Sequence, residues 1–186
     1  MTRAAIVAAI ALLTTTISAV PARATDAPVT VFARFAAAPV QDAALADPVL
    51  NEVSGVAASR TQPPLLWVHD DSAGAPGVYG IRPDATLVAT YSVDGATNTD
   101  WEDIAVGPGP VRGTSYLCIA DIGQNSGARD AVTVYRVAEP DTPVATTGTL
   151  TGAAVISLRY PDQPVDAESM VVDPRAGDLP SSTSST

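Results

Sequence analysis

Apolar positions in this chain come in short bursts closed by turn residues, not in helical stripes. Residues 65–69, 77–81 and 86–93 are rich in Val, Leu, Tyr and Trp. Turn signals separate them: Gln62-Pro63-Pro64, Ser72-Ala73-Gly74-Ala75-Pro76 and Arg82-Pro83-Asp84. Residues 116–120, 131–137 and 153–160 repeat the pattern further along. Bursts of this kind predict strands. The 16 Pro and 13 Gly that punctuate the chain argue against long helices.

A gapless alignment of the acidic clusters exposes a repeat. Residues 52–59, 100–107 and 166–173 begin with Glu52, Asp100 and Asp166. Their third position is Ser54, Glu102 and Glu168. Three apolar or small residues follow, then a turn residue, and Pro108 and Pro174 come directly after the second and third copies. Repeats of this size point to propellers or solenoids before other folds. With the strands between them, each unit holds four strands, the content of one blade. The sequence therefore predicts an all-β fold, a partial β-propeller of about two four-stranded blades plus the start of a third. The third blade's inner strand is expected at 169–172. A β-sandwich with accidental similarity is the competing fold.

Four-stranded antiparallel blades have a chemical consequence. The turn after each second strand and the link into each inner strand open on one face. Asp70, Asp71 and Asp121 follow second strands; Asp100, Glu102, Asp103, Asp166 and Glu168 begin inner strands. Connectivity thus gathers eight carboxylates around one mouth. Carboxylates at close range repel, and a hard cation relieves the conflict. Calcium takes six to eight oxygen ligands, and Asn98 and Asn125 offer amide oxygens as well. The plainer alternative is that these acids accept hydrogen bonds from loop backbone N–H groups. His69 is the lone histidine, in Trp67-Val68-His69-Asp70-Asp71, and is read either as a catalytic proton carrier or as a structural ring at a strand end. Trp67 and Trp101 read as packing residues. Cys118 lies in an apolar run with no neighbouring cation to activate it, so a buried inert thiol is expected.

The N-terminus reads as an address. Arg3 precedes an apolar run over 4–13, a polar stretch follows, and Ala22-Arg23-Ala24 offers small residues two apart. This is the layout of a secretory signal peptide over 1–24, with an N-terminal segment over 25–49 ahead of the propeller region at 50–179. A secreted or extracytoplasmic product without a membrane span is expected. The formal charge is −10, with ten Arg and no Lys. That balance argues against nucleic acid, whose backbone needs clustered cations.

Residues 51–59, 66–74, 101–107, 121–125 and 166–178 resemble a group of exported bacterial β-propeller proteins loosely related to the phytase-like, esterase-like propellers. The most specific stretches are 100–105 and 166–173. The resemblance implies a six- or seven-bladed ring and calcium-dependent phosphoester or ester hydrolysis in intact relatives. On that basis Glu102, Asp103 and Glu168 hold the cation and His69 assists proton transfer. Asp100, Asp166, Asp70 and Asp121 complete the candidate ligand set. Two departures stand out: the chain lacks the lysines that grip phosphate in phytase propellers, and Gln124 replaces an expected acid in the Asp121 loop. After Leu179 the chain continues as a polar tail over 180–186, where a further strand is expected. Six blades of about 45 residues need roughly 270, so this chain reads as a truncated product. Unpaired blade edges would then favour self-association. A non-catalytic extracellular binding module and an inactive fragment are the alternatives to an enzyme, and substrate or ligand is left open.

Overall fold

The computed structural model describes residues 43–72, 74–125, 127–141, 146–177 and 179. The expected signal peptide and polar tail lie outside the described residues. Among those described, no helix forms; nine strands do. β1 (Val53–Ala58), β2 (Leu66–Asp70), β3 (Gly77–Ile81) and β4 (Leu87–Val93) run as an antiparallel meander. β5 (Trp101–Pro108), β6 (Ser115–Asp121) and β7 (Val132–Ala138) form a second meander. After β7 the chain returns to the first sheet. There β8 (Thr146–Leu150) pairs parallel to β4, and Ser92 and Thr149 share a hydroxyl hydrogen bond of 2.9 Å. It then comes back as β9 (Ala154–Leu158), antiparallel to β7. The sheet orders are β1-β2-β3-β4-β8 and β5-β6-β7-β9.

Period-two alternation sends consecutive side chains to opposite faces, and both faces are covered here. Trp67, Val78, Ala89 and Tyr91 of the first sheet meet Trp101, Ile104, Leu117, Ile119, Tyr135 and Val137 of the second in the main core. Leu150 of β8 joins them. Val68, Tyr79 and Ile81 point the other way and pack under Leu50. Cys118 and Val134 point away from the main core and pack under Val172, with Met170 beside them. Trp67 and Trp101 are fully buried. Each indole N–H finds an acceptor: Trp67 Nε1 donates to Glu139 Oε1 at 3.0 Å and Trp101 Nε1 to the Thr97 carbonyl at 2.9 Å. Burial pushes the Cys118 thiol up to about 11, so it is inert at neutral pH.

Two features depart from the sequence reading. Residues 169–172 form no strand; they cross the outer face of the second sheet as irregular chain, held by the Met170 N–H donating to Asp103 Oδ2 at 2.8 Å. A strand there needs a ladder partner, and no following strand is present among the described residues. The second departure is β8. Its sequence, Thr-Thr-Gly-Thr-Leu, carries one large apolar residue and gives almost no burial signal on its own.

Candidate metal centre

The start of β5 is irregular in a way that serves the site. Trp101 pairs with Asp121 and Asp103 with Ala120, which leaves Glu102 as the extra residue of a bulge. β1 does the same: Val53 pairs with Asp70 and Gly55 with His69, which leaves Ser54 extra. Bulges re-aim a side chain out of the pleat. Ser54 and Glu102 occupy the same position of the sequence repeat, and the two bulges bring them together. Ser54 Oγ donates to the Glu102 carbonyl at 3.0 Å and to Glu102 Oε2 at 3.3 Å. The third member of the series, Glu168, lies near enough for its charge to act on the Glu102 carboxyl.

Around Glu102 three carboxylates converge. One ligand oxygen each from Asp71, Asp100 and Glu102 lie within 4.8 Å of one another. Asp71 hangs from the turn after β2, where its N–H donates to the Glu52 carbonyl at 2.8 Å and Asn98 Nδ2 bonds its carbonyl. Asp100 is fully buried. Its Oδ2 accepts from the Asn125 N–H at 2.6 Å and its Oδ1 from Asn125 Nδ2 at 2.9 Å. The floor is Gly123. A Cβ there would stand 2.3 Å from Glu102 Oε1 and 2.4 Å from Asp100 Oδ2, so only glycine leaves room for both carboxylates. Such a concentration of acid has an electrostatic cost. Burial, then Glu168 and Asp71, push the Glu102 carboxyl up from 4.5 to about 7. Burial and the neighbouring Asp100 and Glu52 raise Asp71 as well. Asp71 Oδ1 is buried and has no hydrogen-bond partner.

Three of the remaining expected ligands are engaged elsewhere. Asp121 is buried and bonded to Arg129 Nη1 at 2.6 Å, the one ion pair among the described residues. It also accepts from the Asp100 N–H at 3.1 Å, so it props the site instead of entering it. Asp103 accepts from the Ile104 and Met170 N–H groups, each at 2.8 Å. Asp166 is exposed and accepts from the Gln124 N–H at 2.7 Å. Asp121, Asp103 and Asp166 follow the loop-acceptor pattern that acids commonly adopt. Asp70 Oδ2 accepts from the Asn51 N–H at 3.4 Å, while its Oδ1 is buried with no hydrogen-bond partner. Asn98 and Asn125 act through hydrogen bonds to Asp71 and Asp100.

His69 is fully buried, edge-on to Trp101 with ring centroids 5.7 Å apart. Its Nδ1 lies 2.9 Å from the Asp70 carbonyl, an acceptor only, so Nδ1 carries the proton. Nε2 faces the Gly55 backbone without a partner, and a Cβ at Gly55 would stand 2.5 Å from it. Burial outweighs the favourable Asp70 carbonyl and Asp103 charge and holds the imidazole below 6.5. The ring is a packing element between β1 and β5, closed off from solvent.

No family model, curated protein or solved structure matches the chain.

Proposed function

We propose that the two sheets are consecutive blades of a β-propeller and that Asp71, Asp100 and Glu102 form a calcium site in an exported binding protein. One observation carries the cation reading: three carboxylates lie within 4.8 Å, with no basic side chain among the described residues paired to them. Without a counter-ion this arrangement drives protonation. With a hard divalent ion it becomes favourable, and the unpartnered Asp71 Oδ1 is the readiest ligand atom. Calcium suits the open, all-oxygen donor set better than magnesium, which demands tighter octahedral geometry.

The propeller reading is supported by two successive meanders whose first strands adjoin. It is supported too by the meeting of repeat-equivalent Ser54, Glu102 and Glu168 at one rim. Export rests on the residue pattern of 1–24. Binding is favoured over hydrolysis because His69 is buried away from any substrate.

The test is calcium titration followed by calorimetry and melting temperature. Dissociation constants of extracellular calcium modules fall at about 0.1–1 mM, and occupancy raises the melting temperature by mass action. An unchanged melting temperature in millimolar calcium removes the site from consideration.

A further inference from the structure

The far end of β5 carries the opposite charge. From Trp101 to Pro108 the strand covers about 23 Å, and beyond Pro108 a cavity of about 540 Å³ opens. Three turns wall it: the one after β1 with Arg60, the β5–β6 turn with Arg112, and the turn carrying Arg175. Seven arginines fall among the described residues, and three of them line this one cleft. Among the described residues none of the three is in an ion pair.

Two acids beside the cleft are turned to other work. Glu139 Oε1 accepts from Ser59 Oγ at 2.6 Å, from Trp67 Nε1 at 3.0 Å and from the Arg60 N–H at 3.2 Å. Asp173 Oδ1 accepts from the Arg175 N–H at 2.7 Å and the Ala176 N–H at 3.3 Å. Each acid pins the backbone of an arginine and is absent from the cavity wall. The third turn is pressed onto the strand end: Gly177 has φ +73°, and a Cβ there would stand 2.3 Å from the Pro108 carbonyl oxygen. The cleft is therefore set by backbone packing.

We propose that this cleft binds a multiply charged oxyanion of the phosphate class, such as a phosphate monoester or pyrophosphate. Three arginine-bearing turns around one cleft with no acid among its lining residues favour an anion there. Guanidinium groups present paired N–H donors that match the oxygens of a phosphoryl group. The site is separate from the acidic cluster and stands whether or not that cluster holds a cation.

The probe is inorganic pyrophosphate, titrated calorimetrically into the full chain stripped of divalent ions. Saturable one-site binding is expected, tighter than for inorganic phosphate and absent for chloride. Arg112→Gln and Arg175→Gln each weaken it about fivefold, and the double variant about 25-fold, as for independent exposed charge contacts. Arg82→Gln, at an exposed arginine outside the cavity lining, leaves it unchanged. The arginines are exposed, so their variants keep the wild-type melting temperature. Heats that fail to saturate by about 10 mM pyrophosphate, or equal affinity in wild type and the double arginine variant, overturn the assignment.

Discussion

Replacing Glu102 with Gln isolates the electrostatic cost of the acidic cluster. The folded protein holds the Glu102 carboxyl at about 7 against an ordinary 4.5. Between those values the folded state binds more protons than the unfolded one, so stability falls as pH rises. At about 1.4 kcal/mol per pKa unit the full displacement is worth about 3.4 kcal/mol. Asp71 and Glu168 reach solvent, and screening reduces this to about 1–2 kcal/mol. Gln cannot ionise. In chelator, the stability of Glu102→Gln relative to wild type should therefore rise by about 1–2 kcal/mol between pH 5 and pH 8. On melting temperature this amounts to about 3–6 °C for a domain of this size. Taking the difference between the two proteins cancels His69 and the other groups that do not interact with Glu102. On the calcium site proposed above, the ion must then reverse the order at pH 8, since it would stabilise wild type through the carboxylate and would lose that ligand in the variant. Thermal melts at four pH values, with and without calcium, read all of this. A pH-independent difference, or equal calcium shifts in both proteins, refutes the reasoning.

Three further outcomes follow from the same geometry. Gly123→Ala places a methyl 2.3 Å from Glu102 Oε1, so urea melts should show a loss of about 1–3 kcal/mol and a blunted calcium response; wild-type behaviour would show that the floor yields. Arg129→Ala strands the buried Asp121 without its 2.6 Å partner and should cost about 3–5 kcal/mol in urea melts at neutral pH; a loss under about 1 kcal/mol contradicts this. His69 is held below 6.5 by burial, so its contribution is present above pH 6.5 and is lost as pH falls below it; an imidazole NMR titration with a midpoint at or above 6.5 contradicts this.

Much of the strand pattern was legible because it rests on local burial. The bursts at 65–69, 77–81, 116–120 and 131–137 become β2, β3, β6 and β7 within a residue or so at each end, since both sheet faces are packed and apolar residues run nearly continuously through them. β8 escaped notice for the converse reason: only Leu150 enters the core, and the strand exists because β4 offers an open edge. Residues 169–172 show the same dependence with the sign reversed. They have strand-like composition, yet without a ladder partner they remain irregular. The acidic site was legible as a neighbourhood and not as a ligand set. Chain connectivity brings eight acids toward one rim, but hydrogen bonding sorts them. Asp121 is claimed by Arg129, eight residues along, and Asp103 and Asp166 by backbone N–H groups of distant segments. The two bulges that aim Ser54 and Glu102 at each other leave no compositional trace, although the aligned repeat position marks the residues involved.

The return of the chain from β7 to the edge of β4, and back to β9, has a mechanical corollary. The outer margins of the two sheets are sewn together by one continuous thread. Prying the layers apart means stripping Ala89 through Val93 from Thr146 through Leu150, so neither layer can peel away while the other stays whole. Heat or force should therefore bring both down in a single step.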